Sequence, residues 1–528
     1  MMQDDIATPA PERSPRIWMR VAWFTLAAVA ALLCWSYADA ELIDDAFISL
    51  RYADNLLAGH GLVFNPGERV EGYSNFLWVL LLAAAGGLGL EMPAASQWLG
   101  GLFGVGLVWA TATALPGHRP WRLLAPALLV GNLTVWLWAV HGLETVMFAC
   151  WVTLGIRSDL RGWREGRVPL GSALWYALAA LTRPEGPYFF VASTVYWATL
   201  HPRALLGRGG VRHLALFGIV FGAHLLWRHG YYGDWVPNTA HAKLGFSVQL
   251  LARGLRYLWA FARPPGALFL LLWIPAALAA RRDASVRYLA LLVLGYLAVI
   301  VVEGGDAFPA HRFVVPICPA LYLLAAEGAR HLDERWRHRG RVVSFALVGF
   351  AALTLGLHAE STRLDAAGEA VTSTGFIRDM RQAAGALTRA YPAGTTIALN
   401  PAGAVPYYTG FVTYDMLGLT DPTIARRRRD DLGEGTAGHE KGDGAYILAR
   451  RPDLILLGNV YLVDAFPAPG EEVQIPLFLR SEYEIGTSPE LRRDYQLELL
   501  PTDDGRYLAA YRRKDLDPET GGGAPALP

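Results

Sequence analysis

Hydrophobic residues along this chain cluster in long runs separated by short polar breaks, and strict alternation is rare. A first run at 21–37 is followed by others near 75–90, 97–115, 122–140, 144–157, 169–182, 187–200, 212–228, 266–280, 285–301, 313–328 and 341–358. About 20 apolar residues carry a helix across a bilayer, so the pattern predicts an α-helical polytopic membrane protein in which several runs are short. The polar breaks divide into two kinds. "RSDLRGWREGR" (157–167), "HPRALLGRGGVRH" (201–213), "RRDASVR" (281–287) and "RHLDERWRHRGR" (330–341) are short and arginine-rich, which predicts the cytoplasmic side. The segments facing them, 41–75, 229–262 and 303–312, are then outer loops. Passing from an outer loop ending at 75 to an inner loop at 157 needs an odd number of crossings, yet four runs lie between. One of these is expected to be re-entrant or half-length, for about 11 crossings in all. The first run follows Arg13, Arg16 and Arg20 and lacks a small-residue cleavage pattern, so it reads as a retained helix with a cytoplasmic N-terminus.

Beyond 358 the apolar runs stop. Short strand-like pieces ("TTIAL", "LILLG") alternate with helix-like ones ("GFIRDMRQAAGALTRAY"), predicting a soluble extracytoplasmic α/β domain over 359–514. The membrane domain would occupy 1–358, and the Gly- and Pro-rich tail 515–528 is expected to be disordered.

Composition narrows the function. The chain has 528 residues, 53% of them hydrophobic, and its 47 basic and 47 acidic residues cancel, so no global field favours nucleic acid. Cys34, Cys150 and Cys318 sit inside apolar runs as small buried hydrophobes, which argues against a disulfide framework or thiolate metal site. No P-loop, dinucleotide-binding glycine fingerprint or HExxH motif is present.

Ionisable residues near a membrane boundary are costly unless paired or used. In the first outer loop, Asp44 and Asp45 suit a general base for a hydroxyl, although an acidic helix N-terminus explains a lone pair of acids as well. Arg51, Tyr52 and Asn55 follow on a short amphipathic segment, and Glu71 lies in the turn-rich continuation. The second outer loop contributes Tyr232, Asn238, His241 and Lys243, the last one of only three lysines; the third contributes Asp306 and Arg312. His141, Glu144 and Arg183 stand at breaks between short apolar runs, where broken helices can line a cavity. Arg and Lys beside aromatic residues on an outer surface suit a lipid-linked phosphate. The run "ARRRRDD" (425–431) reads as a solvated loop, and Tyr407, Tyr408 and Tyr414 as either sugar platforms or core. The adjacent acids would suit a divalent cation, but no third ligand accompanies them, so neither metal nor cofactor is expected.

The stretch "IDDAFISLRYADNLLAGHGLVFNPGERVEGYSNFLW" resembles the first outer loop of bacterial membrane glycosyltransferases of the C-type fold, in particular the terminal β-(1→2)-arabinofuranosyltransferases that use decaprenylphosphoryl arabinose. "YYGDWVPNTAHAK", "GGDAFPAHRFVVPICP", "PAGAVPYYTGFVTYDMLGLTD" and "HEKGDGAYILARRPDLILLG" look like later motifs of the same group, so the likeness runs from about 40 to 460. The resemblance implies a multi-pass enzyme of the bacterial inner (plasma) membrane that moves a sugar, arabinofuranose, from a polyprenyl-phosphate donor to a cell-envelope glycan. It implies a catalytic acid at Asp44 or Asp45, acting as a base if the reaction inverts or as a nucleophile or stabiliser if it retains. Arg51, Arg183, Lys243 and Arg312 would hold the donor phosphate. Tyr52, Asn55, Glu71, His141, Glu144, Tyr232, Asn238, His241 and Asp306 would contact substrate. Transfer of another sugar, such as mannose or amino-arabinose, to lipid or protein is the nearest alternative, and transport of a polyprenyl-linked glycan the more distant one.

Overall fold

A computed structural model describes residues 25–26, 28–33, 35–36, 40–115, 120–336, 341–468 and 471–516. Of the expected first helix at 21–37, residues 25–26, 28–33 and 35–36 are described and are helical, whereas the tail expected at 515–528 lies outside the described residues beyond 516. The described chain is helical up to Ala390 and becomes mixed α/β beyond it. Among the described residues, four helices are long and apolar enough to cross a membrane: Arg208–Tyr232, Ala284–Glu303, Arg312–Trp336 and Ser344–Ala390. Counting each of two bent pairs as one span gives up to six, by length and composition. The expected set of about eleven crossings is therefore not matched by eleven long apolar helices among the described residues.

The bends have local causes. Leu124–Gly131 and Leu133–Val140 are separated at Asn132, whose side chain accepts from Thr134 N (3.2 Å) and caps the second piece, and the pair bends by 52°. Val248–Ala262 ends before Pro264 and Pro265, and its continuation through Trp273–Ala280 departs at 92°.

Phe76–Gly87 has 12 residues, about 18 Å of helix, well short of a ~30 Å hydrocarbon layer. The following helix, Met92–Ala114, starts back near the first loop, where Gln97 Nε2 donates to Ala40 O (2.9 Å). Its far end lies beside the arginine-rich segment expected as a loop, whose first part continues helix Thr145–Glu165, and there Arg157 Nε donates to Thr113 (2.7 Å). Three buried indoles in this region donate to carbonyls, Trp78 to Gly142 (3.0 Å), Trp136 to Val130 (2.8 Å) and Trp138 to Ala310 (3.3 Å).

The boundary expected at 358/359 falls inside one continuous helix, Arg341–Ala390, about 75 Å long, which carries the chain from the apolar bundle to the C-terminal domain. That domain has a mixed sheet of β1 (Thr396–Leu399), β2 (Val412–Asp415), β3 (Leu454–Ile455), β4 (Leu462–Val463), β5 (Tyr495–Pro501) and β6 (Tyr507–Arg513). The order is β2-β1-β3-β6-β4, with β5 also on β6; β1 is parallel to β2 and β3, and β6 is antiparallel to its partners. Ala398, Met416, Ile424, Ile447, Ile455 and Ile485 pack on it as a separate core.

The C-terminal domain is fastened to the first loop by polar side chains. Asn65 Nδ2 donates to Thr413 O (2.9 Å) while its Oδ1 accepts from Thr413 N (3.1 Å), completing the edge of β2 as a strand would. Asn238 Nδ2 donates to Gly418 O and Leu419 O, both at 2.9 Å.

Candidate active site

Helix Asp44–Leu57 begins with two adjacent acids, and the structure sends them to different places. Both oxygens of Asp44 are used by backbone N–H groups of the C-terminal domain, Gly403 N (3.0 Å) and Ala404 N (2.8 Å), at the start of the short helix Ala404–Thr409. Position 403 must be glycine for this approach, because a Cβ there would overlap the Asp44 carbonyl. Burial pushes the Asp44 carboxyl up to about 7, against the two N–H bonds, which favour the charged form. Asp44 is therefore a latch between loop and domain.

Asp45, one position on, faces a cleft of about 170 Å³. Residues three and four further along the same helix, Ile48 and Ser49, line the cleft with it, as helical spacing requires. The walls add Asn75, Glu144, Arg183, Glu185, Lys243, Glu303, Asp306 and Arg312. One chain of hydrogen bonds organises half of it. Asn75 Nδ2 donates to Ser49 Oγ (3.0 Å) and Glu144 Oε2 (2.7 Å), Arg183 Nη1 donates to Glu144 Oε1 (2.7 Å), and Arg183 Nη2 to Glu185 Oε1 (2.7 Å). On the other wall Arg312 grips Asp306 through two bonds, 2.7 and 2.9 Å, under the ring of Phe308 (4.6 Å). Asp45 lies close enough to act electrostatically on Arg312.

Lys243 differs from these arginines. No carboxylate holds its ammonium among the described residues, and its stem runs beside Gly438, where a Cβ would come within 3.2 Å. Acids outnumber cations in the cleft, and of its three cations Arg183 and Arg312 are paired with carboxylates while Lys243 is not.

Asp45 and Lys243 also line a second, larger cleft of about 560 Å³, walled by helix Arg341–Ala390, the C-terminal domain, Ile43 and Ile48 of the first loop and residues 307–309 of the third. Six residues expected at the site thus come together: Asp45, Glu144, Arg183, Lys243, Asp306 and Arg312. The others do not join them, and each has a visible reason. Arg51 is buried and donates to the carbonyls of Phe64 (2.7 Å), Phe411 (2.7 Å) and Pro406 and to Asn65 Oδ1 (3.2 Å), so it fastens the C-terminal domain rather than a phosphate. Burial lowers its guanidinium to about 10, against smaller opposing pulls from Tyr52 and Asp54.

Tyr52 donates to Val70 O (2.6 Å) and accepts from Gly72 N (2.8 Å), and Asn55 donates to Val63 O (2.8 Å) and Phe64 O (3.0 Å); both fold the loop back on its helix. Glu71 is buried against Arg228 (2.7 Å), and Asn238 holds the C-terminal domain. Tyr232 donates to Leu62 O (2.7 Å), and His241 pairs with Asp234 (2.8 Å). His141 is fully buried edge-on to Trp138 (5.4 Å). Tyr407 and Tyr408 pack against Phe47, both at 5.4 Å, and Tyr414 lies under Arg450 (3.9 Å), so these rings serve packing. Ser49 and Asn75 are cleft residues that the sequence pattern did not single out; position 49 was findable from its spacing to Asp45, whereas Asn75 carried no local signal. Among the described residues no group of three or more His, Cys, Asp or Glu side chains could hold a metal ion.

Comparisons with known proteins bear on this arrangement. A family model described as a domain of unknown function (DUF8728) matches residues 371–508. The terminal β-(1→2)-arabinofuranosyltransferase of Mycobacterium tuberculosis is 30% identical over 281 residues, 48% of this chain and 42% of that protein. The Corynebacterium glutamicum protein of the same name is 26% identical over 347 residues, 56% of this chain and 49% of that one. The chain thus spans less than half the length of either curated relative. Among solved structures, ArnT from Cupriavidus metallidurans in the apo state gives a TM-score of 0.53 at 14% identity, covering 93% of this chain and 98% of that one. Its complex with undecaprenyl phosphate gives 0.52, also at 14%, covering 94% and 97%. The resemblance read from the sequence to these arabinofuranosyltransferases therefore holds, and the fold is that of ArnT, a C-type glycosyltransferase fold.

Proposed function

We propose that the chain is a membrane glycosyltransferase that moves a sugar, arabinofuranose, from a polyprenyl-phosphate donor to a cell-envelope glycan on the outer face of the plasma membrane. One observation carries the reading: Asp45 shares a cleft wall with Lys243, the cation that no carboxylate among the described residues holds. The undecaprenyl phosphate bound by the solved ArnT and the names of the curated relatives supply the donor class and the sugar.

In this reading Asp45 accepts the proton of the acceptor hydroxyl as its oxygen bonds to the anomeric carbon. The bond from that carbon to the phosphate oxygen breaks, and Lys243 with Arg312 holds the departing lipid phosphate. Arg183, clamped between Glu144 and Glu185, shapes the floor. Asp45 can serve both substrates because it lies where the two clefts meet. The reading also puts Phe76–Gly87 along the outer surface rather than across the membrane. Three crossings then remain between residues 75 and 157, and the odd number the arginine-rich loops demand is met. The N-terminus is cytoplasmic and the C-terminal domain extracytoplasmic.

The test is transfer from defined donors, decaprenylphosphoryl arabinose beside decaprenylphosphoryl mannose, to a synthetic glycan acceptor, with Asp44→Asn and Asp45→Asn in parallel. Asp45→Asn should be inactive and Asp44→Asn should retain transfer. Full activity of Asp45→Asn overturns the base, and turnover of the mannose donor alone overturns the sugar.

A further inference from the structure

Helix Val248–Ala262, at the end of the second outer loop, has three sides of different chemistry. With about 3.6 residues per turn, Leu250 and Gly254 share one side, and both are buried. Gly254 lies so close to helix Ala284–Glu303 that a Cβ would come within 2.5 Å of Val301 O. A second side carries Arg253, which donates to Gly304 O (2.9 Å) and Gly435 O (3.0 Å) and pairs with Glu440 (3.0 Å). The third side carries Val248, Leu255 and Trp259, which fall above one another on a helix and are 76%, 59% and 66% exposed. An apolar stripe this open marks a surface with a partner. The chain then turns by 92° into Pro265–Ala280, so if that segment spans the membrane the helix lies along its surface. Arg256 and Arg263, one above the other on the helix, edge the stripe on the Arg253 side and are exposed. No carboxylate among the described residues pairs with either. By contrast Arg426, Arg427 and Arg429 on the nearby loop are held by Asp234, Asp443 and Asp431.

From these features we propose that helix Val248–Ala262 is an in-plane membrane anchor that selects anionic phospholipid. Its stripe of Val248, Leu255 and Trp259 enters the acyl boundary of the outer leaflet, and Arg256 with Arg263 holds a headgroup phosphate at the rim. The proposal rests on the outer placement of the second loop and not on which sugar is moved. An indole is at home at the headgroup level, and a guanidinium fork matches phosphate oxygens. A zwitterionic headgroup brings its own ammonium toward the two arginines and loses part of the gain, so net negative lipid is favoured. A soluble anion would meet the arginines and leave the apolar stripe in water. The anchor also bears on the charged cleft: Arg253 ties it to Gly435 and Glu440, and Gly438 between them lies against the stem of Lys243.

Lipid binding tests it without turnover. Native mass spectrometry of the full-length protein in detergent, titrated with phosphatidylglycerol and with phosphatidylcholine of the same acyl chains, reads an affinity for each headgroup. Phosphatidylglycerol should bind at least about fivefold tighter. Arg256→Gln and Arg263→Gln should each weaken it about fivefold, with phosphatidylcholine binding and the melting temperature unchanged, and Arg256→Lys should keep most of the affinity. Two controls, Arg161→Gln on the arginine-rich inner side and Lys243→Met in the charged cleft, should leave it in place. Equal affinity for the two headgroups, no loss in the Arg256→Gln/Arg263→Gln double variant, or an equal loss in either control overturns the anchor; loss in Lys243→Met would put the bound phosphate in the cleft instead. A protein that keeps the headgroup preference but transfers from no polyprenyl-phosphate donor sinks the enzyme reading alone, and an active protein without the preference sinks the anchor alone.

Discussion

The two clefts that meet at Asp45 and Lys243 divide the work of one site by chemistry. The first is walled by Asp45, Glu144, Arg183, Glu185, Glu303, Asp306 and Arg312, charged groups most of which are locked into pairs before any substrate arrives. The second carries Thr372, Ser373, Asn400 and Asn459 with the rings of Phe376 and Phe478. Preorganised charge suits a reacting phosphate, since fixed dipoles need not reorganise as charge moves. Neutral hydroxyls, amides and rings suit a ligand that must slide in, be read and leave. A latch of buried polar contacts, Asp44 and Arg51, holds the C-terminal domain to the first loop.

The largest expected effect separates the junction from the latch. Asp45→Asn should lower transfer about 10³-fold with an unchanged melting temperature, measured with saturating donor and acceptor. A melting temperature that falls with activity would make Asp45 a second latch and erase the distinction. Next, Arg51→Ala removes the buried donor shared by four oxygens and should cost about 3 kcal/mol in docking, seen as faster hydrogen exchange over residues 403–413. Lys243→Met should raise the donor KM about tenfold and leave the acceptor KM in place; movement of both alike would show that the clefts are one.

A smaller effect concerns pH. Asp44 is held at about 7 in the folded protein against an ordinary 3.8, so between about pH 4 and 7 the folded state binds a proton that the unfolded chain has released. Its contribution is then greatest in acid and is lost as pH rises through 7. Relative to Asp44→Asn, the wild type should lose thermal stability across that window, as scanning calorimetry at stepped pH would show; a flat difference would mean that the latch does not titrate. The smallest expected effect is that of chelation, since excess EDTA should change the transfer rate less than about twofold. A larger loss would put a cation in the charged cleft and alter its side of the comparison.

The charged cleft was largely legible in the sequence and the neutral one was not. Charges that interrupt apolar runs stand out, which is how Arg183, Lys243, Asp306 and Arg312 were found. Thr372, Ser373 and Asn400 are ordinary residues of a polar segment, and only the packing of helix Arg341–Ala390 against the C-terminal domain assembles them. The choice between Asp44 and Asp45 was illegible for a related reason. Both sit in the first turn of one helix, and what separates them is Gly403 and Ala404, remote in the chain and close only once it has folded. Arg51 misled because a buried arginine bound to carbonyls looks, in sequence, like one awaiting a phosphate. Which of the four runs between 75 and 157 is the half-length one was not legible, because hydropathy reports an apolar helix without its direction; a short helix whose successor begins beside Ala40 is seen only in three dimensions.

The unbroken helix Arg341–Ala390 also joins the C-terminal domain to the apolar bundle as one piece. Near its far end Asp379 pairs with Arg506, and Arg389 with Asp503 (3.0 Å), so the domain is fixed to the rod that leads into it. A tilt of roughly 10° imposed by hydrophobic mismatch would therefore carry Phe376 on the helix and Phe478 on the domain together, and the spacing of the two rings is set by packing within the protein rather than by the thickness of the bilayer.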